Sequence, residues 1–589
     1  MARNKYDIDE VLETPFDIKH FKRALKYVAK YKKQVAIALI ISIFAAVVSL
    51  LGPFITQRAL DVTIPEGNRK ELVILALLLL LTIAANVVLS TMRSRIMTKA
   101  GQDMICDIRR DLFAHLQELS FDYYDSRPHG KILNRVINYV NSVSDLLTNG
   151  IINFVLEILN LIFIAIFMFI LSPRLALVVL AGLPIFAAFM FAIKTAQRRA
   201  WQRVSNKSSN LNAYLHEGLV GVRVTQSFNR EEENNGIFRH LSNDHRSAWM
   251  KAIYLNSAVW PVSDNISVWV TAAIYAVGLL AIGPAGGMTV GTIAAMTGYS
   301  GRFWQPIMNL SNLYNTFVNT IASLERIFET MDEPVKVTDK ENAAAMPKIK
   351  GDVSFENVTF SYEEGVHILE NLSFDVKAGQ SIALVGPTGA GKTTIVSLIS
   401  RFYDIESGCI KIDGNDISSV TLKSLRSQMG IMLQDSFIFS GTVKDNIRYG
   451  RLDATDDEIK AACKIVGADE FISHMEKGYD TVINERGSSL SQGQKQMIAF
   501  ARTILADPKI LVLDEATSSI DAKTERYIQQ GINHLLKGRT SFIVAHRLST
   551  IRSCDKIMYI SEKGITEAGT HEELMVKKGL YYNLCMAQA

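Results

Sequence analysis

Hydrophobic and polar positions follow two regimes along the chain. Through residue 331, long uncharged runs recur. Residues 35–51 contain no charge, and the apolar character continues to Ile55, about the 20 residues that span a bilayer core. Comparable runs cover 72–89, 151–171, 175–193, 258–282 and 290 to about 312, the last interrupted by Arg302 and several asparagines. This pattern predicts six membrane-spanning helices. Beyond Met331, residues 332–350 are polar, with Pro334, Pro347 and an alanine run, and read as a linker. Short β-branched runs then alternate with amphipathic segments, which predicts an α/β domain with strands at 353–362, 381–385, 430–433, 510–513, 541–545 and 556–560.

The gaps between spans two and three, and between four and five, each exceed fifty residues of helical spacing, far above ordinary connections. Antiparallel arms of roughly 20 to 25 residues would project about 30 Å from the membrane. Turning points are expected near 121–130, where Pro128 and Gly130 break the pattern, and near 218–227. Residues 15–33 mix Phe16, Ile18, Phe21, Leu25 and Val28 with lysines, as either an amphipathic helix on the inner membrane face or an extension of the first span would.

Lys26, Lys30, Lys32 and Lys33 precede the first span, Arg93, Arg95 and Lys99 follow the second, and Arg198 and Arg199 follow the fourth, so both termini are expected in the cytosol. Asp7, Asp9, Glu10 and Glu13 speak against a cleavable signal peptide. Composition agrees with a divided chain: 48% hydrophobic residues are many for a soluble enzyme, and 21% charged residues are many for a protein lying wholly in lipid. A net charge of +4 is small for the length and gives no sign of a nucleic-acid footprint, so no nucleic-acid partner is expected. The five cysteines lack metal-site or disulfide spacing and read as reduced thiols. Glu157, flanked by Asn153 and Asn160, and Asp264 stand in apolar runs. Intramembrane carboxylates are candidates for a transport path that favours cations, although bonding to a neighbouring helix is the commoner role.

The chemistry is concentrated in the second half. Gly386, Thr388, Gly389, Gly391, Lys392 and Thr393, with Thr394 after them, form a Walker A loop between a strand and a helix. Glycines turn backbone N–H groups inward around phosphates, Lys392 would neutralise the β- and γ-phosphates of ATP, and Thr393 would offer a hydroxyl to Mg²⁺. The apolar run 510–513 ends in Asp514 and Glu515, as a Walker B strand does, with Asp514 placed for Mg²⁺ and Glu515 as general base.

Ser491, Gln492, Gly493 and Gln494, standing shortly before that strand, resemble the signature sequence of the ATP-binding cassette family, and with the preceding spans the whole chain is similar to its multidrug and lipid exporters. The resemblance implies an α-helical six-span transmembrane domain with long cytosolic helix extensions, followed by an α/β P-loop ATP-binding cassette domain. It divides the chain into an N-terminus with elbow helix (1–33), a transmembrane domain (34–331), a linker (332–350) and a nucleotide-binding domain (351–589). It also implies that Tyr362 stacks on adenine, Gln434 contacts Mg²⁺ and the attacking water, His546 contacts the γ-phosphate, Asp521 crosses to a partner cassette, and Glu485 lies where the arms dock.

Two departures stand out: Ser-Gln-Gly where the family usually has Ser-Gly-Gly, and Ser-Ser-Ile-Asp where it usually has Ser-Ala-Leu-Asp. Gln492 adds bulk and restricts the backbone beside Ser491. Since each signature completes the partner's ATP site, an intact Glu515 beside an altered signature points to a heterodimer with one strongly hydrolysing site, a homodimer being the alternative. Tyr299, Phe303, Trp304, Asn309 and Asn312 are candidates for a cavity lining, with core packing the expected role for most of them. The expected function is ATP-driven export of amphipathic small molecules across the cytoplasmic membrane. A lipid flippase and a nucleotide-gated regulator that transports nothing remain as alternatives.

Overall fold

The computed structural model describes residues 18–127, 129–145, 150–280, 288–363, 365–432, 437–484, 487–514, 522–544 and 548–588. The chain divides into two compact units, one of residues 1–117 and 130–332, the other of 118–129 and 333–589.

In the first unit the apolar runs are helices that outlast the runs themselves. The first, Lys32–Arg58, continues as a π-helical turn, Ala59–Thr63. The second, Arg69–Glu118, is 50 residues long. Its stretch past Leu89 adds roughly 40 Å at 1.5 Å per residue. Leu77, Leu80 and Leu81 are all exposed, the surface that lipid requires of a helix with an apolar exterior. Ile151–Leu171 and Pro173–Val220 follow, the latter started by Pro173 in the first turn and by the Ser172 hydroxyl, which accepts from the Leu175 amide.

Among the described residues five helices are long and apolar enough to cross a membrane. The sixth predicted span is the continuous helix Val290–Met331. Arg302 and the asparagines that weaken its pattern keep it outside those five, yet it packs in the same core, where Tyr299, Phe303 and Trp304 are buried. Close approach is enforced at Gly182, where an added Cβ would meet Val270 at 2.8 Å and Trp304 at 2.9 Å.

The second arm is the expected antiparallel pair, Pro173–Val220 against Glu231–Ser257. Trp201 meets Trp249 edge-on at 5.5 Å, and Lys207 lies 3.4 Å from Asp244. Nearer the turn, the Tyr214 hydroxyl donates to the Asn234 carbonyl at 3.2 Å. The helix breaks at Gly221 into a short helix, Val222–Ser227, which exposes Val224, with Val220 and Phe228 exposed on its flanks.

The first arm departs from the paired-rod expectation. Its outgoing limb is one continuous helix, but it returns as Phe121–Asp125, His129–Asn134, a π-turn at Arg135–Tyr139 and Val140–Asp145. Pro128, the expected breaker, lies outside the described residues.

The second unit is built on a six-stranded sheet. Its strands are β3 (Ser381–Val385), β6 (Met429–Met432), β9 (Ile510–Asp514), β10 (Thr540–Val544), β11 (Lys556–Ser561) and β12 (Gly564–Gly569), in the order β12-β11-β3-β10-β9-β6. All are parallel except the edge strand β12. Alternation sorts Ile382 and Leu384 into one core and Ala383 and Val385 into the other, so both faces are covered, as a parallel sheet demands. A four-stranded antiparallel sheet, β2-β1-β4-β5, comprises β1 (Val353–Ser361), β2 (His367–Val376), β4 (Ser407–Ile412) and β5 (Asn415–Asp416), and a two-stranded antiparallel sheet pairs β7 (Gly441–Thr442) with β8 (Val482–Ile483). The sequence pattern anticipated β1, β3, β6, β9, β10 and β11. It did not anticipate β2, whose charged outer face alternates with buried Leu369, Leu372, Phe374 and Val376.

Candidate ATP site and membrane cavity

Strand β3 is buried throughout and delivers the chain into the loop at Gly386. Gly386 has φ of 146°, and a Cβ there would lie 2.2 Å from the Ile560 carbonyl oxygen, so only glycine fits. Gly391 caps the helix Lys392–Ile399 with φ of 97°. Thr388 and Gly389 are exposed at the crown of the loop. The Lys392 ammonium donates to the Gly386 and Pro387 carbonyls at 2.9 and 2.8 Å. Burial holds its pKa below the ordinary lysine value, and the Asp514 carboxylate partly opposes that shift. Such an ammonium, short of a full counter-charge, suits a polyphosphate.

Parallel strands bring the remaining groups to the same sheet edge. Asp514 ends β9, and the Thr393 hydroxyl donates to its Oδ2 at 3.4 Å. This hydroxyl and carboxylate fit a hard cation completed by phosphate oxygens and water. Among the described residues no cluster of three or more His, Cys, Asp or Glu could hold a metal without such help. Thr394 is buried, and its hydroxyl meets that of Tyr362 at 3.2 Å. Tyr362 follows β1 directly and remains 43% exposed, so a face of its ring is open to a ligand. Gln434, Glu485, Glu515, Asp521 and His546 lie outside the described residues. The structure therefore brings together Tyr362, the 386–394 loop and Asp514.

Ser491 caps the helix Gln492–Ala506. Its hydroxyl accepts from the Gln494 amide at 3.3 Å, and the Gln494 side chain accepts from the Ser491 amide at 2.9 Å. Gly493 is buried, whereas Gln492 is exposed at the first helical position. Gln492 stands in helical backbone, which an L-residue adopts without strain, so its side-chain bulk is the main feature that it presents beside Ser491.

The sequence missed the surroundings of Tyr403. Its ring meets Tyr362 edge-on at 5.1 Å, and its hydroxyl donates to the Asp125 carboxylate. Burial, reinforced by that carboxylate, raises the hydroxyl pKa well above the ordinary tyrosine value, so it remains a donor. The neighbouring Phe402 packs on Phe121 at 4.5 Å, and the Arg426 guanidinium lies 5.1 Å from the Phe402 ring. An adjacent pair of aromatics just beyond the P-loop helix was the available signal.

In the membrane unit a cavity of about 110 Å³ is lined by Trp260, Ser263 and Asp264 from one helix and by Gly301, Trp304 and Gln305 from another. Both sets follow the i, i+3, i+4 spacing of facing helical stripes. The buried Trp304 Nε1 finds no acceptor among the described residues. Glu157 is not part of this lining. It accepts from Asn309 Nδ2 at 2.7 Å, and Asn309 Oδ1 in turn accepts from Gln305 at 3.1 Å.

The profile of the ABC transporter transmembrane region matches residues 35–307, and that of the ABC transporter matches residues 369–518. The uncharacterized ABC transporter ATP-binding protein YknV of Bacillus subtilis is 42% identical over 100% of this chain and 98% of its own length. The chain belongs to the ABC transporter family. Another Bacillus subtilis protein, provisionally named for multidrug export, is 36% identical over 96% of this chain and 99% of its own length. An ATP-dependent lipid A-core flippase of Syntrophus aciditrophicus is 32% identical over 96% of this chain and 94% of its own length. The structure of a bacterial Atm1-family ABC exporter with ATP bound superposes with a TM-score of 0.80 at 29% identity, covering 95% of this chain and 99% of that one. The protein is thus an ABC exporter chain, an ATP hydrolase coupled to transport with its membrane region and cassette fused.

Proposed function

We propose that the chain is one subunit of a dimeric exporter of amphipathic small molecules in the cytoplasmic membrane, with both termini in the cytosol. The observation that carries the reading is the single edge formed by the 386–394 loop, Lys392 and the Thr393–Asp514 pair, with the open Tyr362 ring nearby. In this assignment adenine stacks on Tyr362, and Gly386, Gly389 and Gly391 let the backbone approach the triphosphate. Thr393, Asp514 and Gln434 would hold Mg²⁺, whose charge would screen the phosphates. Glu515 orients and deprotonates the attacking water, and His546 meets the γ-phosphate.

The capped, exposed Ser491 end of its helix, with Gln492, Gly493 and Gln494, serves ATP held by the partner, and Asp521 crosses that interface. A partner of different sequence is favoured by the bulk of Gln492 alone. The exposed apolar tip of the second arm suits docking on the partner's cassette. ATP shared by two subunits would shift an inward-open arrangement to an outward-open one, and hydrolysis would reset it. Asp264, with Trp260 and Trp304, makes a cavity suited to a cationic, ring-bearing cargo. A lipid flippase is the second reading, favoured by the relative of that name.

The decisive experiment is Glu515→Gln in liposomes with the companion subunit. Retained labelled ATP with hydrolysis and dye export both abolished is expected, and unchanged turnover refutes the assignment. Headgroup translocation without drug-stimulated hydrolysis would select the flippase.

A further inference from the structure

We propose that Glu157, acting through Asn309 and Gln305, is a positioning residue that fixes the hydrogen-bond polarity of the Asp264 cavity, so that the cavity selects an ammonium bearing N–H groups over a fully methylated one. The inference rests on the reading of that cavity as a cargo site, and it narrows the class of cargo.

The three side chains form a chain with a direction. An ionised carboxylate carries lone pairs and no proton, so it can only accept. Asn309 must therefore turn its Nδ2 toward Glu157, and it donates to Oε1 at 2.7 Å. An amide turned that way presents its oxygen on the other side, where Asn309 Oδ1 accepts from Gln305 Nε2 at 3.1 Å. Gln305 stands one helical turn before Asn309 on the helix Val290–Met331, and its Oε1 is thereby directed away from Asn309. Amide oxygen and nitrogen are alike in shape, so the one member that cannot donate sets the order of the rest.

Gln305 is also part of the cavity wall, with Trp304 beside it and with Ser263, Asp264 and Ser267 of the helix Val259–Leu280 opposite. Trp304 Nε1 is buried, has no acceptor among the described residues, and can only donate. Acceptance falls to the Asp264 carboxylate and the Gln305 oxygen, while the serine hydroxyls serve either way. At about 110 Å³ the cavity takes an ionic head rather than a whole drug-sized molecule, whose pockets start at roughly 300 Å³. A primary ammonium brings three N–H groups to these acceptors. A trimethylammonium brings the same charge and no donor. Asp264 attracts both, so the discrimination comes from the oxygen that Glu157 keeps in place.

Neutralising Glu157 removes the direction. The side chain introduced by Glu157→Gln can donate or accept, so the chain of amides runs either way. Gln305 is then free to turn its NH₂ into the cavity, where an ammonium N–H loses its acceptor. A cation without N–H groups and its neutral isostere feel this change alike, since neither draws on the Gln305 oxygen.

The test uses the full-length chain with its companion in liposomes. Two dyes share one fluorophore and one tether and end in a primary ammonium or a trimethylammonium. The readout is the ratio of their export rates, which does not depend on how much protein is folded. The parent should favour the primary ammonium. Glu157→Gln and Gln305→Met are each expected to lower the ratio about three- to tenfold, roughly the worth of one hydrogen bond. The double variant should lower it no further than Gln305→Met alone. A purely structural role for Glu157 would slow both dyes and leave the ratio where it was. A parent without preference, a Glu157→Gln ratio within about twofold of the parent's, or losses that multiply in the double variant overturn the proposal. Asp264→Asn separates the two layers. If it leaves export of both dyes intact, the cavity assignment fails and this inference with it, whereas if it slows both while Glu157→Gln keeps the parent ratio, only the relay from Glu157 fails.

Discussion

The Asn309 amide donates to the Glu157 carboxylate at 2.7 Å, whereas Asp264 opens onto a cavity between two tryptophans. The two intramembrane carboxylates, equivalent in sequence, therefore take different parts. Glu157 has a partner on another helix that satisfies it. Asp264→Asn should lower export of cationic dyes about tenfold, the loss of roughly 1.5 kcal/mol of charge-assisted contact, and leave neutral cargo unchanged. Glu157→Gln should treat both cargo classes alike and register as a lower melting temperature. Dye efflux from vesicles, measured for a matched cationic and neutral pair, decides between them.

At Gly386 the outcome is steric. A methyl group would overlap the Ile560 carbonyl at 2.2 Å in a backbone region that L-residues avoid. Gly386→Ala should cost about 1 to 3 kcal/mol of cassette stability and abolish ATP binding. Gly389→Ala, with open space around its Cβ, should bind ATP more weakly through its φ of 83° without the same collision. Thermal melts with and without nucleotide separate the two.

How much of this could be read beforehand depended on how local the cause was. The helix Ile151–Leu171 and strand β3 were read to the residue, because a run of apolar side chains and a flanking Gly or Ser determine both ends. The P-loop was equally legible, since its strand-loop-helix context is contiguous in sequence. Tyr403 was not, because its meaning comes from Asp125, 278 positions away. The broken return limb of the first arm was missed for a related reason. Its helical periodicity persists through the π-turn at Arg135–Tyr139, and the fixed 3.6 spacing does not distinguish that turn from a straight rod. The difference between Glu157 and Asp264 likewise resides in neighbours on other helices.

The Lys392 ammonium carries a pH signature. Burial lowers its pKa from the ordinary lysine value, and a bound triphosphate would restore the charged form. The nucleotide complex then binds the proton more tightly than the free protein, so ATP affinity should fall as pH rises through the depressed pKa of the free state. Isothermal titration at stepped pH in buffers of different ionisation enthalpy should show net proton uptake on the alkaline side. Equal proton counts in free and bound states would remove Lys392 from the phosphates.

Because Gln492 sits exposed in helical backbone, exchanging it should leave the fold alone. Gln492→Gly is expected to change the melting temperature by no more than a glycine in a first turn costs, about 1 kcal/mol or less. If its bulk limits the partner's site, ATP turnover should rise in the assembled pair and remain constant in any assay limited by Glu515. Unaltered turnover with the companion present would count against an asymmetric pair.

Pro53 and Arg302 make the last prediction. Proline has no N–H, so the Ser49 carbonyl four residues before it loses its usual helical partner inside the membrane. The Arg302 guanidinium, from the helix Val290–Met331, donates to that oxygen. Among the described residues it forms no ion pair, so a costly intramembrane charge is tied to a backbone gap. Arg302→Leu should destabilise the membrane unit by about 1 to 3 kcal/mol, the cost of leaving an acceptor bare where lipid offers no donor. Pro53→Ala restores the missing N–H, so the same Arg302→Leu change made in that background should cost less. The two substitutions then offset one another in melting temperature rather than adding. Additive losses would mean that Arg302 acts through something other than the Ser49 carbonyl, with cargo that carries an anionic group the next candidate to assay.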